Sequence, residues 1–211
     1  MQKENAFLFC ISLTYSYLWL RRRDFRSTIK TKKTFLFCIV LTYSYLCIRL
    51  RFKRRMDNNT KHSILFVCHG NICRSPMAEF VMKDLVAKMG LEDSFVIESA
   101  ATSTEEIGNS VYPPARRKLA EHGIGCAGKT ARQMTRSDYN RYDLLIGMDS
   151  WNIRNMRNIC GGDPEGKIVM LMDFTKRPGD VADPWYTGNF EATWQDVLEG
   201  CQALLDRFAK K

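Results

Sequence analysis

Cys68 and Arg74 stand six positions apart in the run Ile-Leu-Phe-Val-Cys-His-Gly-Asn-Ile-Cys-Arg-Ser-Pro, residues 64–76. A sulfur nucleophile and a planar cation thus bracket one short loop. The reactive form of cysteine is the thiolate, and a guanidinium, inward-turned backbone N–H groups and the positive end of a helix all favour it. The same donors hold a phosphate-sized oxyanion. A cradle for such an anion with a thiolate beneath it is equipped for phosphoryl transfer. Gly70 lets the loop approach an anion closely. Asn71 can bond its own loop backbone and tolerate a left-handed conformation. Ser75 either donates its hydroxyl to the thiolate or caps a helix ahead of Pro76. Alone, Cys-x5-Arg is a weak pattern in a chain with eight cysteines. Expelling an alkoxide or phenoxide also needs a proton donor. Asp183-Pro184-Trp185-Tyr186 offers a carboxylic acid beside aromatic surface, although a turn residue before proline is the plainer reading of Asp183.

The elements that must position these groups alternate in the manner of a parallel α/β sheet. Ser63–Val67 reads as a first, central strand with Cys68 at its carboxyl end. Pro76–Met89 carries Met77, Val81, Leu85 and Met89 on one helical face, and Gly90 stops it. Phe95–Ser99 is a second strand, Pro114–His122 a helix closed by Gly123, Tyr142–Gly147 a strand buried on both faces, Ser150–Asn158 a helix and Lys167–Met172 a fourth strand. Phe190–Phe208 places Phe190, Trp194, Val197, Leu198, Cys201, Leu204, Leu205 and Phe208 along one stripe, the mark of a helix packed on a sheet, with Cys201 an inert thiol within it. The expected architecture is a four-stranded parallel sheet with helices on both faces and its ligand at the carboxyl ends of the strands. The Pro- and Gly-rich stretch 173–189 emerges at that same edge, and loops of such length are uncommon without a function.

The net charge of +9 divides unevenly. Residues 1–55 hold thirteen Lys/Arg and two acids, a net of +11, whereas residues 56–211 hold nineteen and twenty-one, a net of −2. A near-neutral body argues against a nucleic-acid groove. Its five cysteines form no CxxC pair or Cys/His array, which argues against zinc. A free Cys68 fits a reducing cytoplasm. The first quarter repeats itself at an offset of twenty-eight residues: Phe7–Cys10 recurs as Phe35–Cys38, and Leu13–Leu18 recurs as Leu41–Leu46. Each apolar run ends in a basic cluster and is short against the roughly 20 residues of a membrane span. Residues 1–55 are therefore expected to be a separate, disordered extension, either translated from upstream repeat DNA ahead of a working start at Met56 or making weak membrane-surface contact; an ordered subdomain is the least supported reading.

With these residues on the page, the chain resembles the low-molecular-weight protein tyrosine phosphatases. Val67–Pro76 looks like their signature, and Asp183–Tyr186 like their general-acid loop. Glu98–Ser103, Ala131–Met134 and Met148–Asp149 are similar as well. The likeness covers 62–209 and none of 1–55, and the 156 residues from Met56 match a typical family length. It implies that Cys68 forms a phosphocysteine, that Arg74 clasps two phosphoryl oxygens, and that Asp183 serves as general acid and then base. It further implies that His69, Gly70, Asn71, Ile72, Cys73, Ser75 and Ser99 form or support the phosphate loop, and that Glu105, Trp185 and Tyr186 wall the substrate. Cys73 would trap an oxidised Cys68 as a disulfide, with a small buried filler as its plain alternative. The family needs no metal or organic cofactor, acts on phosphotyrosine-containing proteins, and suggests a monomer or weak dimer. Two positions depart from it: Glu105 stands where an aromatic is frequent, and Lys129 where a histidine commonly precedes Ala131-Arg132-Gln133. A phosphoarginine phosphatase of the same fold is the nearest alternative, but Ile72 stands where those enzymes tend to carry threonine. An arsenate reductase would need relay cysteines at short spacing, which Cys126 and Cys160 are not. A membrane-recruited phosphate-binding adaptor would not need both Cys68 and Asp183.

Overall fold

Four consecutive apolar residues, Ile64–Val67, leave a strand no polar side to turn to water, so both of its faces have to be covered. In the computed structural model, which describes residues 61–210, all four are fully buried. They form the middle of β1 (His62–Cys68), which pairs in parallel with β2 (Phe95–Ala101) on one side and β3 (Leu144–Gly147) on the other. β4 (Ile168–Met170) adds in parallel outside β3, giving the order β2-β1-β3-β4. Parallel neighbours require crossovers. These are supplied by helices α1 (Arg74–Met89), α2 (Pro113–Glu121), α3 (Arg136–Arg141) and α4 (Ser150–Cys160); a short α5 (Pro184–Thr187) and a long α6 (Phe190–Lys210) follow β4. The four-stranded parallel architecture expected from the sequence is the one observed. Among the described residues no helix is long and apolar enough to cross a membrane. The readings made for residues 1–55 lie outside the described residues.

The alternation of β1 splits the core in two. Ile64, Phe66 and Cys68 face α1 and α6, packing with Met77, Val81, Met82, Val197, Cys201 and Leu204. Leu65 and Val67 face the other way, onto Met134, Tyr139, Tyr142, Met156 and Cys160 from the α3–α4 side. The stripe read on α6 is the packed one: Trp194, Val197, Cys201, Leu204 and Leu205 are buried, and Phe190, Leu198 and Phe208 pack against the same core. Burial pushes the Cys201 thiol up, as an inert core sulfur requires.

The boundaries differ where tertiary contacts overrule local pattern. α1 starts at Arg74 rather than Pro76, so Arg74 belongs to the helix's first turn. β3 starts at Leu144, because Tyr142 ends α3 and buries its ring beneath the sheet. α3 itself escapes the sequence reading. Its six residues, RSDYNR, have no apolar period, and the helix is started by Asp138, whose carboxylate accepts the Thr135 N–H (2.7 Å) and hydroxyl (3.2 Å). β4 ends at Met170, since Leu171–Phe174 turns into a 3₁₀ helix that seats Leu171 and Met172 in the core.

α6 meets that turn at Gly200, where a Cβ would lie 2.5 Å from Leu171 Cγ, a branch point with no room to swing aside. Gly200→Ala gains a better helix former, worth about 1 kcal/mol, but the overlap wins. The substitution is expected to destabilise the chain by about 1–3 kcal/mol, read in urea unfolding. Gly125→Ala, where an added Cβ meets nothing within 4 Å, should stay within about 0.5 kcal/mol of the parent.

Candidate active site

Strand order reverses at β1: the chain steps first to β2 on one side and then to β3 on the other. Crevices at such a switch point, beyond the carboxyl ends of the strands, are where open α/β sheets bind ligands. Cys68 ends β1 there, buried, and residues 69–73 loop over into α1, whose positive pole faces the loop. The Asn71 N–H donates to Cys68 Sγ at 3.3 Å, and Ser75 Oγ lies 3.1 Å from the same sulfur. Asn71 has φ 58°, a left-handed conformation unusual for a residue with a side chain. Its amide holds it there. Nδ2 donates to Ser75 Oγ (2.9 Å) and Ser99 Oγ (2.8 Å), while Oδ1 accepts the Arg132 N–H (3.2 Å). The loop is also strapped from outside, by the Thr102 N–H to the Cys68 carbonyl (2.9 Å), Ser103 N–H to that of His69 (3.0 Å), and Tyr112 N–H to that of Ile72 (2.9 Å).

Arg74 is buried between two carboxylates, with Nη1 2.6 Å from Asp149 Oδ2 and Nη2 2.6 Å from Asp183 Oδ2. Burial alone would lower its pKa, but the negative charge of Cys68, Asp183 and Asp149 outweighs that and raises it, so the guanidinium is a permanent cation. Asp149 caps α4 through Oδ1, which accepts the Asn152 N–H at 2.6 Å, and this leaves Oδ2 for Arg74. Asp183 is likewise both a turn residue and a site residue. Oδ1 accepts the Trp185 N–H (3.0 Å) at the start of α5, and Oδ2 faces Arg74. Its segment is anchored two residues earlier by buried Val181, whose N–H donates to the Met148 carbonyl at 2.8 Å.

Behind the loop lies a buried charge. The Ser99 hydroxyl donates to Glu79 Oε2 at 2.5 Å, and Glu79 is met by Lys129 Nζ at 3.0 Å and Lys83 Nζ at 2.5 Å. Lys129 also donates to the Ser99 carbonyl (3.0 Å). The lysine that replaces a customary histidine therefore makes a supporting contact to the site. Ser75, Asn71 and Ser99 sit behind the cleft rather than lining it. Burial, followed by the negative charges of Cys68 and Asp183, pushes the Cys73 thiol up to about 12. The other cysteines of the body are dispersed: Cys126 packs on one face of the sheet and Cys160 on the opposite face, which leaves no relay pair.

The cleft above Cys68 and Arg74 has a volume of about 580 Å³. The expected wall residues Glu105, Trp185 and Tyr186 all line it, as do His69, Gly70 and Ile72. His69 is exposed, its Nε2 3.1 Å from Glu105 Oε2. Space at Gly70 is tight, since a Cβ there would come within 3.0 Å of Glu106 Cγ. Glu106, Trp151 and Asp149 line the cleft without having been singled out as wall residues in the sequence. Among the described residues no group of three His, Cys, Asp or Glu side chains is placed to hold a metal ion.

A doubly wound sheet with a cysteine under an arginine-bearing loop at its switch point, and a carboxylic acid brought over it, is the frame of a cysteine-dependent phosphatase. The comparisons agree. The model of the low molecular weight phosphotyrosine protein phosphatase family matches residues 63–211, and the chain belongs to that family. It is 41% identical over 151 residues to the low molecular weight protein-tyrosine-phosphatase YfkJ of Bacillus subtilis, covering 71% of this chain and 97% of that protein. The crystal structure of YfkJ matches with a TM-score of 0.70 at 40% identity, over 72% and 98% of the two chains. The Sus scrofa low molecular weight phosphotyrosine protein phosphatase is 37% identical over 158 residues, covering 72% and 99%. The crystal structure of DARP, a Drosophila arginine phosphatase, matches with a TM-score of 0.63 at 28% identity, over 69% and 96%.

Removing one cation from buried Glu79 leaves its charge short of a partner. Lys129→Met is expected to lower the unfolding free energy by about 1–3 kcal/mol in urea titrations, with Lys83 and Ser99 limiting the loss.

Proposed function

We propose that the chain hydrolyses phosphotyrosine in proteins through a phosphocysteine on Cys68. The observation that carries this is the convergence on Arg74: the loop that contains Cys68, the carboxylate of Asp183 and the floor of one cleft meet at a single buried guanidinium. A phosphoryl dianion entering the loop takes the N–H donors of Arg74 that Asp183 now occupies, through the planar fork that suits two oxygens at once. Asp183, freed from the guanidinium, takes up a proton from solvent and lies next to the tyrosyl oxygen. The Cys68 thiolate attacks phosphorus, the P–O bond breaks, and Asp183 gives its proton to the leaving phenoxide. In the second step Asp183, now ionised, takes a proton from water. That water attacks phosphorus, the P–S bond breaks, and inorganic phosphate leaves with Cys68 again a thiolate. Asn71, Ser75 and Ser99 keep the loop's donors aimed. The redox role proposed for Cys73 runs from an oxidised Cys68–SOH, which is neutral: losing the Cys68 charge removes one of the influences that keep the Cys73 sulfur protonated, and attack by Cys73 then forms the disulfide and releases water.

Two features separate tyrosine from arginine as the phosphorylated residue. Ile72 and Trp185 line the cleft with apolar surface that suits an aryl ring. Glu105 and Glu106 on the opposite count would suit a guanidinium, and phosphoarginine is the second reading for that reason. The working unit proposed is residues 56–211, translated from Met56, a monomer or weak dimer in the reducing cytoplasm; mass spectrometry of the native N-terminus tests that boundary, and a mature protein that starts at Gln2 would overturn it in favour of an extension that touches a membrane surface.

Cys68→Ser should abolish turnover, and rapid quench of the parent with labelled substrate should catch phosphorus on Cys68. Asp183→Ala should lower kcat by about 10²–10⁴ on phosphotyrosine and least on p-nitrophenyl phosphate, whose leaving group needs no proton. Faster phosphate release from phosphoarginine than from phosphotyrosine protein would overturn the choice of substrate. After peroxide, thiol reductant should restore the parent but not Cys73→Ser.

A further inference from the structure

Among the described residues four large apolar side chains stand in solvent: Ile107 (54% exposed), Trp151 (67%), Trp185 (57%) and Tyr186 (86%). Three of them line the one cleft over Cys68, and Ile107 directly follows the Glu105–Glu106 wall. Single exposed apolar residues mean little, but their collection at one mouth marks a surface that is covered during function. A phosphorylated ring does not cover it. Roughly 150 Å³ suffices to enclose benzene, whereas the cleft holds about 580 Å³. Room and apolar surface are left over for what surrounds the ring.

Trp151 is the clearest surplus. It is the second residue of α4, two positions after the cap Asp149 that grips Arg74, so it is fixed to the site by a helix. The Arg154 guanidinium lies 5.6 Å from its ring, and most of the ring remains open. The wall formed by Glu105 and Glu106 adds charge. Glu105 is exposed and meets His69, while Glu106 accepts the Asn109 side-chain amide at 2.7 Å. Two carboxylates beside a seat for a phosphoryl dianion repel that dianion by itself, and a cation carried by the ligand offsets them.

We propose that this cleft reads the polypeptide around the phosphotyrosine, and that its preferred substrate carries a basic side chain next to the phosphotyrosine, set against Glu105 and Glu106, with the apolar stem of an adjoining residue laid over Trp151. The inference rests on the phosphotyrosine reading above. It makes a basic protein segment, rather than an acidic one or a small aryl phosphate, the natural occupant.

The test uses the full chain with p-nitrophenyl phosphate and three phosphotyrosine peptides of equal length, flanked on both sides by arginine, alanine or glutamate. The kcat/KM should fall in the order arginine, alanine, glutamate, with arginine over glutamate by roughly tenfold at low salt and less as salt is added. The double variant Glu105→Gln, Glu106→Gln should bring that ratio within about twofold. Trp151→Ala should lower the ratio of peptide to p-nitrophenyl phosphate kcat/KM by about tenfold, mostly through KM. Turnover of p-nitrophenyl phosphate with equal kcat/KM on all three peptides would overturn this inference and leave the phosphatase reading standing. Unchanged ratios in the variants would do the same. Inactivity on every substrate would overturn the phosphatase reading, and this inference with it.

Discussion

Asn71 occupies a backbone conformation that a residue with a side chain adopts only when its surroundings insist. Here they do, because its amide is tied to α1 through Ser75, to β2 through Ser99 and to the segment before α3 through the Arg132 N–H. A left-handed residue at that point reverses the chain, so its own N–H turns in toward Cys68 Sγ rather than outward. The rest of the cradle follows from that turn. The conformation costs of order 1–3 kcal/mol, and three hydrogen bonds in a dry setting are sufficient to hold it. The buried Glu79 with its two lysines lies one bond further out and keeps Ser99 in place.

Charge organises the front of the site as hydrogen bonding organises the back. A buried arginine without partners would be costly, and Asp149 and Asp183 both neutralise it. The two acids differ in tether. Asp149 is held as the cap of a three-turn helix, whereas Asp183 caps only the four-residue α5. In the proposed reaction a dianion competing for Arg74 displaces Asp183 and leaves Asp149, so the residue freed is the one assigned the proton transfer.

The Cys68–Arg74 loop was legible because it is local: seven residues, a strand signal before it and a helix signal after it, with glycine and asparagine where the backbone must bend. The sheet and the α6 stripe were legible from apolar periodicity alone. What escaped is set by contacts distant in sequence. α3 has no apolar period and is started by the capping box that Asp138 closes with Thr135. The Glu79–Lys83 pair reads as an ordinary i,i+4 surface bridge, and only the packing of Lys129 and Ser99 onto Glu79 makes it a buried support. Asp149 directly precedes the helix read from Ser150, and nothing in the sequence says that it caps that helix with one oxygen and meets Arg74 with the other. Trp151 carries no signal of its own in the sequence, and only the fold places it at the cleft.

The two halves of this centre come from opposite ends of the described chain. Residues 68–75 fold around their own hydrogen bonds at the first crossover, whereas Asp183 arrives last, after β4, pinned by Val181 to the strand end of Met148. On the proposed roles, loosening that late segment would leave the loop able to hold phosphorylated tyrosine while slowing its turnover. Assembly and turnover would then be coupled, and a partly unravelled copy would spend more of its time with phosphoprotein bound.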